Sequence, residues 1–246
     1  MSVTWNPWHG CKKISAGCQN CYVYRQDFKF EKDSSIVTKN ASFNLPTKKN
    51  RNGSYKIPPG EMVFSCFTSD FFLKEADAWR EVVWKMIKER TDLNFFIITK
   101  RPDRFFISLP DDWRGGYENV YISCTVENQK MADFRLPIFL KLPIKHKFIA
   151  VSPLLEKINL LPYLNNEIEE VVVGGESGKF ARICDYRWVL NLRNQCISKD
   201  VPFWFHQTGS KLYKDGKLYN IPRKYHHSQA EKANINYKTE KFKEEK

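Results

Sequence analysis

Short, nearly continuous apolar runs recur along the chain, and this pattern is typical of strands that are buried on both faces of a sheet. The runs are rich in β-branched and aromatic residues. They are Val3–Trp5, Met62–Phe67, Phe95–Thr99, Val120–Val126, Phe148–Val151, Val171–Val173 and Pro202–Phe205. The pattern therefore predicts about seven strands.

Segments with the helical period lie between these runs. Glu75–Arg90 and Tyr186–Lys199 each place apolar residues on one face and polar or charged residues on the other. Pro102 is predicted to open another helix, and Glu127–Phe139 is predicted to be helical until Pro137 disturbs it. Strands that alternate with helices predict βαβ units and a parallel sheet.

The predicted fold class is α/β, a TIM-like (β/α) barrel, complete or partial, with mostly parallel strands; a flat doubly wound sheet is the alternative. Residues 1–222 are interpreted as one such domain, with a basic insertion near residues 32–60. The insertion is a lid, a nucleic-acid contact or a solvated loop. Residues 223–246, with seven basic and four acidic residues, are interpreted as a polar basic tail, helical or disordered.

Composition narrows the class of protein. The 246 residues are 42% hydrophobic, which excludes overall disorder, and no apolar run approaches the length of a membrane span. The N-terminus lacks the pattern of a secretory signal, so we expect a soluble, cytoplasmic protein without membrane contact. The net charge of 40 − 28 = +12 favours an anionic partner, most commonly nucleic acid, although basic proteins without such a partner also exist.

Polar residues follow nearly every apolar run, where a barrel or an open sheet places its functional site. A common pocket and the ordinary polarity of loops both explain this. The most specific of these segments is the turn at residues 174–178, GGESG. Its two glycines allow a ligand to approach the backbone, and its amides can bind an anion; a tight turn without a ligand is the alternative.

The seven cysteines are an odd number, which argues against a closed disulfide framework. Cys11, Cys18 and Cys21 form C-x6-C-x2-C, and three thiolates this close in sequence can share one metal centre. Cys66, Cys124 and Cys196 are interpreted as buried small hydrophobic residues, while Cys184 is left undetermined.

Two metals suit the motif. A four-iron cluster held by three cysteines leaves one iron open for a small molecule, as in radical S-adenosylmethionine enzymes, and is the favoured reading. Zinc is the first alternative, with His9 as the fourth ligand beside Cys11, Cys18 and Cys21, and a motif without a metal is the second.

Several longer segments carry a family resemblance, among them TWNPWHGCKKISAGCQNCY, SCFTSDFF, ITKRPDRF, ISCTVENQ and VVVGGESGKFAR. Over roughly residues 4–210 the chain resembles a phage-associated three-cysteine-motif family. That family is similar to radical S-adenosylmethionine proteins, but its first cysteine spacing is wider than C-x3-C-x2-C. The resemblance implies a [4Fe-4S] cluster at Cys11, Cys18 and Cys21, S-adenosyl-L-methionine as cofactor, and a TIM-like partial barrel. The phage association hints at nucleic-acid repair or modification.

The resemblance also implies a set of cofactor-binding positions. They are Asp70, Lys100, Arg101, Glu127, Gly174, Gly175, Glu176, Ser177, Arg182 and Gln207. Glu176 and Gly175 would hold the methionyl amine or the ribose, and Lys100 and Arg101 a carboxylate or phosphate. The chain departs from the pattern twice, with Ser152 in place of an expected Glu and His206 in place of a Lys.

The sequence is compatible with three functions. The first is a radical S-adenosylmethionine enzyme that takes electrons from an external donor and acts on a nucleic acid or nucleotide, with Tyr55 of the basic loop as a stacking residue. The second is a zinc-stapled nucleic-acid-binding protein without catalysis. The third is a redox or sensor protein that carries a cluster but does not cleave the cofactor.

Overall fold

The computed structural model describes residues 2–239. Its strands are β1 (Ser2–Trp5), β2 (Trp8–His9), β3 (Thr38–Lys39), β4 (Met62–Ser65), β5 (Asn94–Thr99), β6 (Val120–Thr125), β7 (His146–Val151), β8 (Ile168–Gly174), β9 (Cys184–Asp185), β10 (Phe203–Gln207), β11 (Lys211–Lys214) and β12 (Lys217–Asn220). Its α-helices are α1 (Tyr22–Phe28), α2 (Asp77–Glu89), α3 (Gln129–Phe139), α4 (Tyr186–Ser198) and α5 (His226–Lys232). None of these helices is long and apolar enough to cross a membrane.

Seven strands form one sheet in the order β1-β4-β5-β6-β7-β8-β10. The strands of this sheet therefore lie side by side in the same order as they occur along the chain. The pairs β1–β4, β4–β5, β5–β6, β7–β8 and β8–β10 are parallel. A doubly wound sheet would reverse its order at a switch point, and this one does not. The predicted fold class, a partial TIM-like barrel with mostly parallel strands, is confirmed.

The chain divides into two compact units. The first consists of Met1–Lys13, Val23–Cys124 and Lys141–His146. Its core is aromatic: the ring centroid of Trp84 on α2 lies 4.8 Å from that of Phe71 and 5.0 Å from that of Trp113. This packing explains why the sequence of α2 has apolar residues at the helical period.

The basic insertion belongs to the first unit and is tied to it by Arg90. The buried Arg90 guanidinium donates hydrogen bonds to the carbonyl oxygens of Pro46 and Ile57, the latter at 2.8 Å. It also lies 4.0 Å from the ring centroid of Tyr55, whose hydroxyl donates to Glu89 at 2.9 Å. Tyr55, predicted as a base-stacking residue, therefore stacks on a side chain of its own unit.

The second unit consists of Ile14–Tyr22, Thr125–Leu140 and Lys147–Lys246. Its parallel strands β7, β8 and β10 are accompanied by helices α3 and α4. The side chain of Asn128 caps α3 by accepting from the Met131 amide at 2.9 Å, and Asp185 caps α4 through the Arg187 amide at 2.8 Å. Both are preferred N-cap residues, so these helices begin where local chemistry favours a start.

Two predicted helices differ in extent. The helix expected from Pro102 is only a single 3-10 turn, Pro102–Arg104, because Ser108 adopts a left-handed φ of 58° and Pro110 follows closely. Helix α3 continues through Pro137 to Phe139. Pro137 has no amide hydrogen to donate to the carbonyl four residues before it, and the helix ends two residues later.

The segment that follows β12 packs along β10. Tyr237 pairs antiparallel with Phe203 through hydrogen bonds of 2.8 and 2.9 Å, and the Phe205 amide donates to the Asn236 side chain at 2.9 Å. Residues 226–232 form α5. Covering β10 satisfies backbone groups that an edge strand would expose. The last part of the predicted tail, residues 240–246, lies outside the described residues.

Candidate functional site

The cysteines fall into two groups by accessibility. All seven are free thiols; Cys11, Cys18 and Cys21 are partly exposed, whereas Cys66, Cys124, Cys184 and Cys196 are buried. Burial raises the pKa of the Cys184 and Cys196 thiols to about 12, and that of Cys66 also rises well above its ordinary value. The prediction that Cys66, Cys124 and Cys196 are core residues is confirmed. The motif cysteines are the thiols left accessible to a ligand.

In the first unit, Cys11 lies beside a buried arginine. The Arg101 guanidinium is 3.9 Å from the Cys11 sulfur and donates to the Lys12 carbonyl at 2.6 Å. Burial lowers the pKa of Arg101, but the negative charges of Asp70 and Cys11 outweigh burial and raise it, so this side chain is a permanent cation. A cation beside a thiol favours the thiolate, which is the form that binds metals.

Asp70 holds Arg101 in that place. Its carboxylate is 2.9 Å from the Arg101 guanidinium, accepts from the Thr99 hydroxyl at 2.8 Å, and accepts from the Lys100 amide at 2.9 Å. It also accepts from the Phe72 amide at 3.0 Å. The structure thus places the predicted residues Asp70, Lys100 and Arg101 together where β4 and β5 end, with the Asp70 oxygens occupied by protein donors.

In the second unit, Cys18 lies on a 3-10 turn, Ala16–Cys18, and the Cys21 amide donates to the Cys18 carbonyl at 3.3 Å. The amide of Gly17 in this turn donates to Glu127 at 3.0 Å. A β-carbon at Gly17 would lie only 3.0 Å from the Glu127 carboxyl carbon, so a larger residue would require the Glu127 side chain to shift by a few tenths of an ångström. Glu127 therefore anchors the turn that carries Cys18.

A second carboxylate anchors the same turn. Glu176 accepts from the Arg182 amide and guanidinium at 2.9 Å each, and from the Asn20 side chain at 3.0 Å. Arg182 also donates to the Ala16 carbonyl at 2.9 Å. Burial raises the pKa of Glu176, but the hydrogen bonds from Arg182 and Asn20 outweigh burial and lower it. The ionised Glu176 and Arg182 are thus joined to the segment between Ala16 and Asn20.

The first two glycines of the GGESG turn, Gly174 and Gly175, pack closely against residues 206–208. A β-carbon at Gly175 would collide with the Thr208 carbonyl, and one at Gly174 would lie 2.5 Å from His206 Nε2. Gln207 donates to the Gly175 carbonyl at 3.0 Å, and Ser177 is half-buried just beyond. Internal packing is therefore sufficient to require glycine at positions 174 and 175.

The two departures from the family pattern are partners of one contact. Ser152 follows β7 and His206 lies on β10, and the Ser152 hydroxyl is 3.3 Å from His206 Nε2. Burial, with a smaller effect of His227, lowers the pKa of His206 to about 4. The imidazole is neutral at pH 7, so a neutral pair stands where the resemblance predicts a carboxylate and an ammonium.

The donor set suits a thiolate-bound metal, because three reduced, accessible thiols lie within eleven residues. Within residues 2–239, no group of three or more His, Cys, Asp or Glu side chains is arranged to hold a metal ion, so the ligand assignment stays a prediction. His9, the predicted fourth zinc ligand, has its Nε2 2.7 Å from Asp27. Only Nδ1 of that ring is left for a metal.

Sequence reasoning missed two residues of these surroundings. Arg135 pairs with Glu127 at 2.8 Å with both side chains buried, and Asn20 binds Glu176. It also missed Glu170, which lies half-buried on β8. The Asn20–Glu176 contact joins residues 156 positions apart, and no spacing rule connects them. Glu170 had a local signal, since it is an acidic residue directly before the run Val171–Val173.

Glu170 gives the protein a predicted pH dependence. Burial raises the pKa of its carboxyl to about 7, partly offset by Lys238. The folded protein then keeps a proton that the unfolded chain releases between about pH 4.5 and 7, so the free energy of unfolding falls as pH rises through this range. We expect Glu170→Gln to stabilise the protein by about 1–3 kcal/mol at pH 8 and by little at pH 5, measured by urea unfolding. An equal effect at both pH values would contradict this assignment.

Comparisons with known proteins complete the description. Residues 1–244 match the sequence profile of a family described as "Protein of unknown function (DUF5131)". No curated protein matches the chain. Among solved structures, one described as "Spore photoproduct lyase complexed with dinucleoside spore photoproduct" is similar to 93% of this chain and 70% of its own, at 11% identity and a TM-score of 0.46.

Proposed function

The chain belongs to the DUF5131 family of proteins of unknown function, and from its own residues we propose that it is a radical S-adenosylmethionine enzyme acting on nucleic acid. Cys11, Cys18 and Cys21 would hold a [4Fe-4S] cluster. When bound, such a cluster supplies the electron that cleaves S-adenosylmethionine and starts hydrogen abstraction from the substrate. The electron would come from an external donor.

One observation carries the proposal. Each segment that bears a motif cysteine is fixed by a buried acidic residue paired with an arginine: Asp70 with Arg101 for Cys11, and Glu127 and Glu176 for the turn with Cys18. Buried ion pairs are costly to build, and their best-attested use is to fix one specific arrangement. Three accessible thiols on fixed segments suit a ligand that must be held rigidly.

This arrangement changes the roles proposed for several residues. Asp70, Glu127, Glu176 and Arg182 would position the cysteine segments, since their polar atoms already contact the protein. Lys100 keeps its proposed role toward a carboxylate or phosphate, because its amide, and not its ammonium, binds Asp70. Gly174, Gly175, Ser177 and Gln207 would shape the backbone next to the cofactor.

The substrate class follows from charge. An excess of 12 positive charges favours a polyanion, and contacts of Lys and Arg with phosphate supply most of the affinity of such complexes. The free state of all seven thiols also suits the reducing cytoplasm.

Metal analysis tests the proposed cofactor. Protein purified without oxygen is expected to contain about four irons and four sulfides per chain and to absorb visible light. Stoichiometric zinc in a colourless protein would instead support the zinc-stapled nucleic-acid-binding alternative and would reject the enzyme proposal.

A further inference from the structure

One face of the strands β7, β8 and β10 in the second unit is only partly covered. On β10, Phe203 and Phe205 are buried, whereas Trp204 between them is 46% exposed. Trp204 is paired in register with Val172 of β8, which is half-buried. Successive residues of a strand point to opposite faces, so Trp204 lies opposite the core. An indole left open in the middle of a strand provides a flat surface for another ring.

Neutral polar groups stand at the end of this face. The His206 and Trp204 rings have centroids 5.8 Å apart, and His206 Nε2 is 3.3 Å from the Ser152 hydroxyl. The absence of a side chain at Gly174 makes room for the imidazole. A hydroxyl and a neutral imidazole can each donate and accept hydrogen bonds, which matches the mixed donors and acceptors of a base edge.

Positive charge lies on the segment that covers β10. Exposed cations occur at Arg223, Lys224, Lys232 and Lys238, against one acidic residue, Glu231, in residues 223–239. The segment is held to β10 through Tyr237 and through His227, whose ring nitrogen hydrogen-bonds the His206 carbonyl at 2.7 Å. A basic surface beside an aromatic ring is the combination that binds single-stranded nucleic acid.

We propose that Trp204, His206 and Ser152 form a subsite for one unstacked base of a single-stranded nucleic acid. The base stacks on the Trp204 indole, its edge hydrogen-bonds to Ser152 and His206, and the flanking phosphates face the cations of residues 223–238. This inference deepens the proposed function and rests on it for the claim that the bound strand is a substrate. The binding itself requires neither iron nor S-adenosylmethionine.

The test compares two labelled strands of equal length by fluorescence anisotropy, using the full chain. One is an oligothymidylate, and the other is an abasic strand with the same phosphates. The wild type is expected to bind the base-containing strand more tightly, and Trp204→Ala to weaken that binding about tenfold without changing the abasic complex. Trp204→Phe is expected to restore part of the preference. Tyr219→Ala, which removes a similarly exposed ring from β12, is the matched control.

A further variant separates stacking from base-edge recognition. His206→Phe keeps a ring but removes the hydrogen bonds, so we expect it to retain the preference over the abasic strand and to lose differences between oligothymidylate and oligoadenylate. Equal affinity of the wild type for oligothymidylate and the abasic strand would overturn the subsite. Affinity of Trp204→Ala for oligothymidylate equal to that of the wild type would also overturn it. Binding of a free mononucleotide as tightly as the strand would also overturn it.

The assay separates this inference from the proposed function. If the purified protein contains zinc and does not cleave S-adenosylmethionine, a base preference that depends on Trp204 still supports the subsite. If cleavage occurs and no base preference exists, the enzyme proposal stands and the subsite is wrong.

Discussion

Replacing Cys18 by alanine is expected to abolish iron binding, visible colour and turnover together. A four-iron cluster bound by three thiolates would keep only two protein ligands in this variant, and open-cluster chemistry depends on all three. The fold should survive, because Cys18 is partly exposed and its turn is held through the backbone of Ala16 and Gly17. Iron content, the visible spectrum and product formation, measured without oxygen, check this expectation.

Cys196→Ala is the matched control for Cys18→Ala. Cys196 is fully buried on α4, and its thiol pKa of about 12 makes it a poor metal ligand. The control should lose stability, through a small cavity, and keep its iron. A colourless Cys18→Ala protein that still turned over would be incompatible with a cysteine-bound cluster as the catalytic cofactor.

Replacing Glu127 by alanine is expected to lower the free energy of unfolding by about 3–5 kcal/mol. Glu127 and Arg135 form an ion pair of 2.8 Å with side chains 0% and 1% exposed, so the variant leaves a buried guanidinium without its counter-charge. The Gly17 amide loses its acceptor at the same time. Urea unfolding of the metal-free protein measures this effect without a contribution from a bound cofactor.

An exposed ion pair provides the comparison. Glu118 pairs with Lys145 and its side chain is 78% exposed, so Glu118→Ala is expected to leave the free energy of unfolding nearly unchanged. Similar losses in Glu127→Ala and Glu118→Ala would show that the Glu127 pair does not anchor the protein. A larger loss in Glu127→Ala, with reduced iron uptake, would fit its proposed role in positioning Gly17.

The strands were predictable because burial on both faces leaves continuous apolar runs, as at Val120–Thr125 on β6, where every residue except Tyr121 is buried. The alternation of strands and helices predicted that the strands are parallel. The missing helix after Pro102 was not predictable in the same way. It depends on the left-handed backbone of Ser108, and because this residue is not a glycine the sequence does not indicate a left-handed conformation there.

The contacts made by the predicted site residues could not be predicted from the sequence. The motifs identified Glu127 and Glu176 as special, yet their partners Gly17 and Asn20 lie 110 and 156 positions away in the sequence. Likewise, Ser152 and His206 were recognised as separate departures, and only the structure shows that they contact each other. Contacts of this range are set by tertiary packing, which leaves no spacing signal in one sequence.

Cleavage of S-adenosylmethionine is the measurement that tests the central claim most directly. The protein, purified without oxygen, is incubated with dithionite and S-adenosylmethionine, and 5′-deoxyadenosine is quantified beside Cys18→Ala. The proposed function predicts 5′-deoxyadenosine from the wild type and none from the variant. An iron-loaded wild type that forms none would contradict the enzyme and indicate a redox or sensor protein.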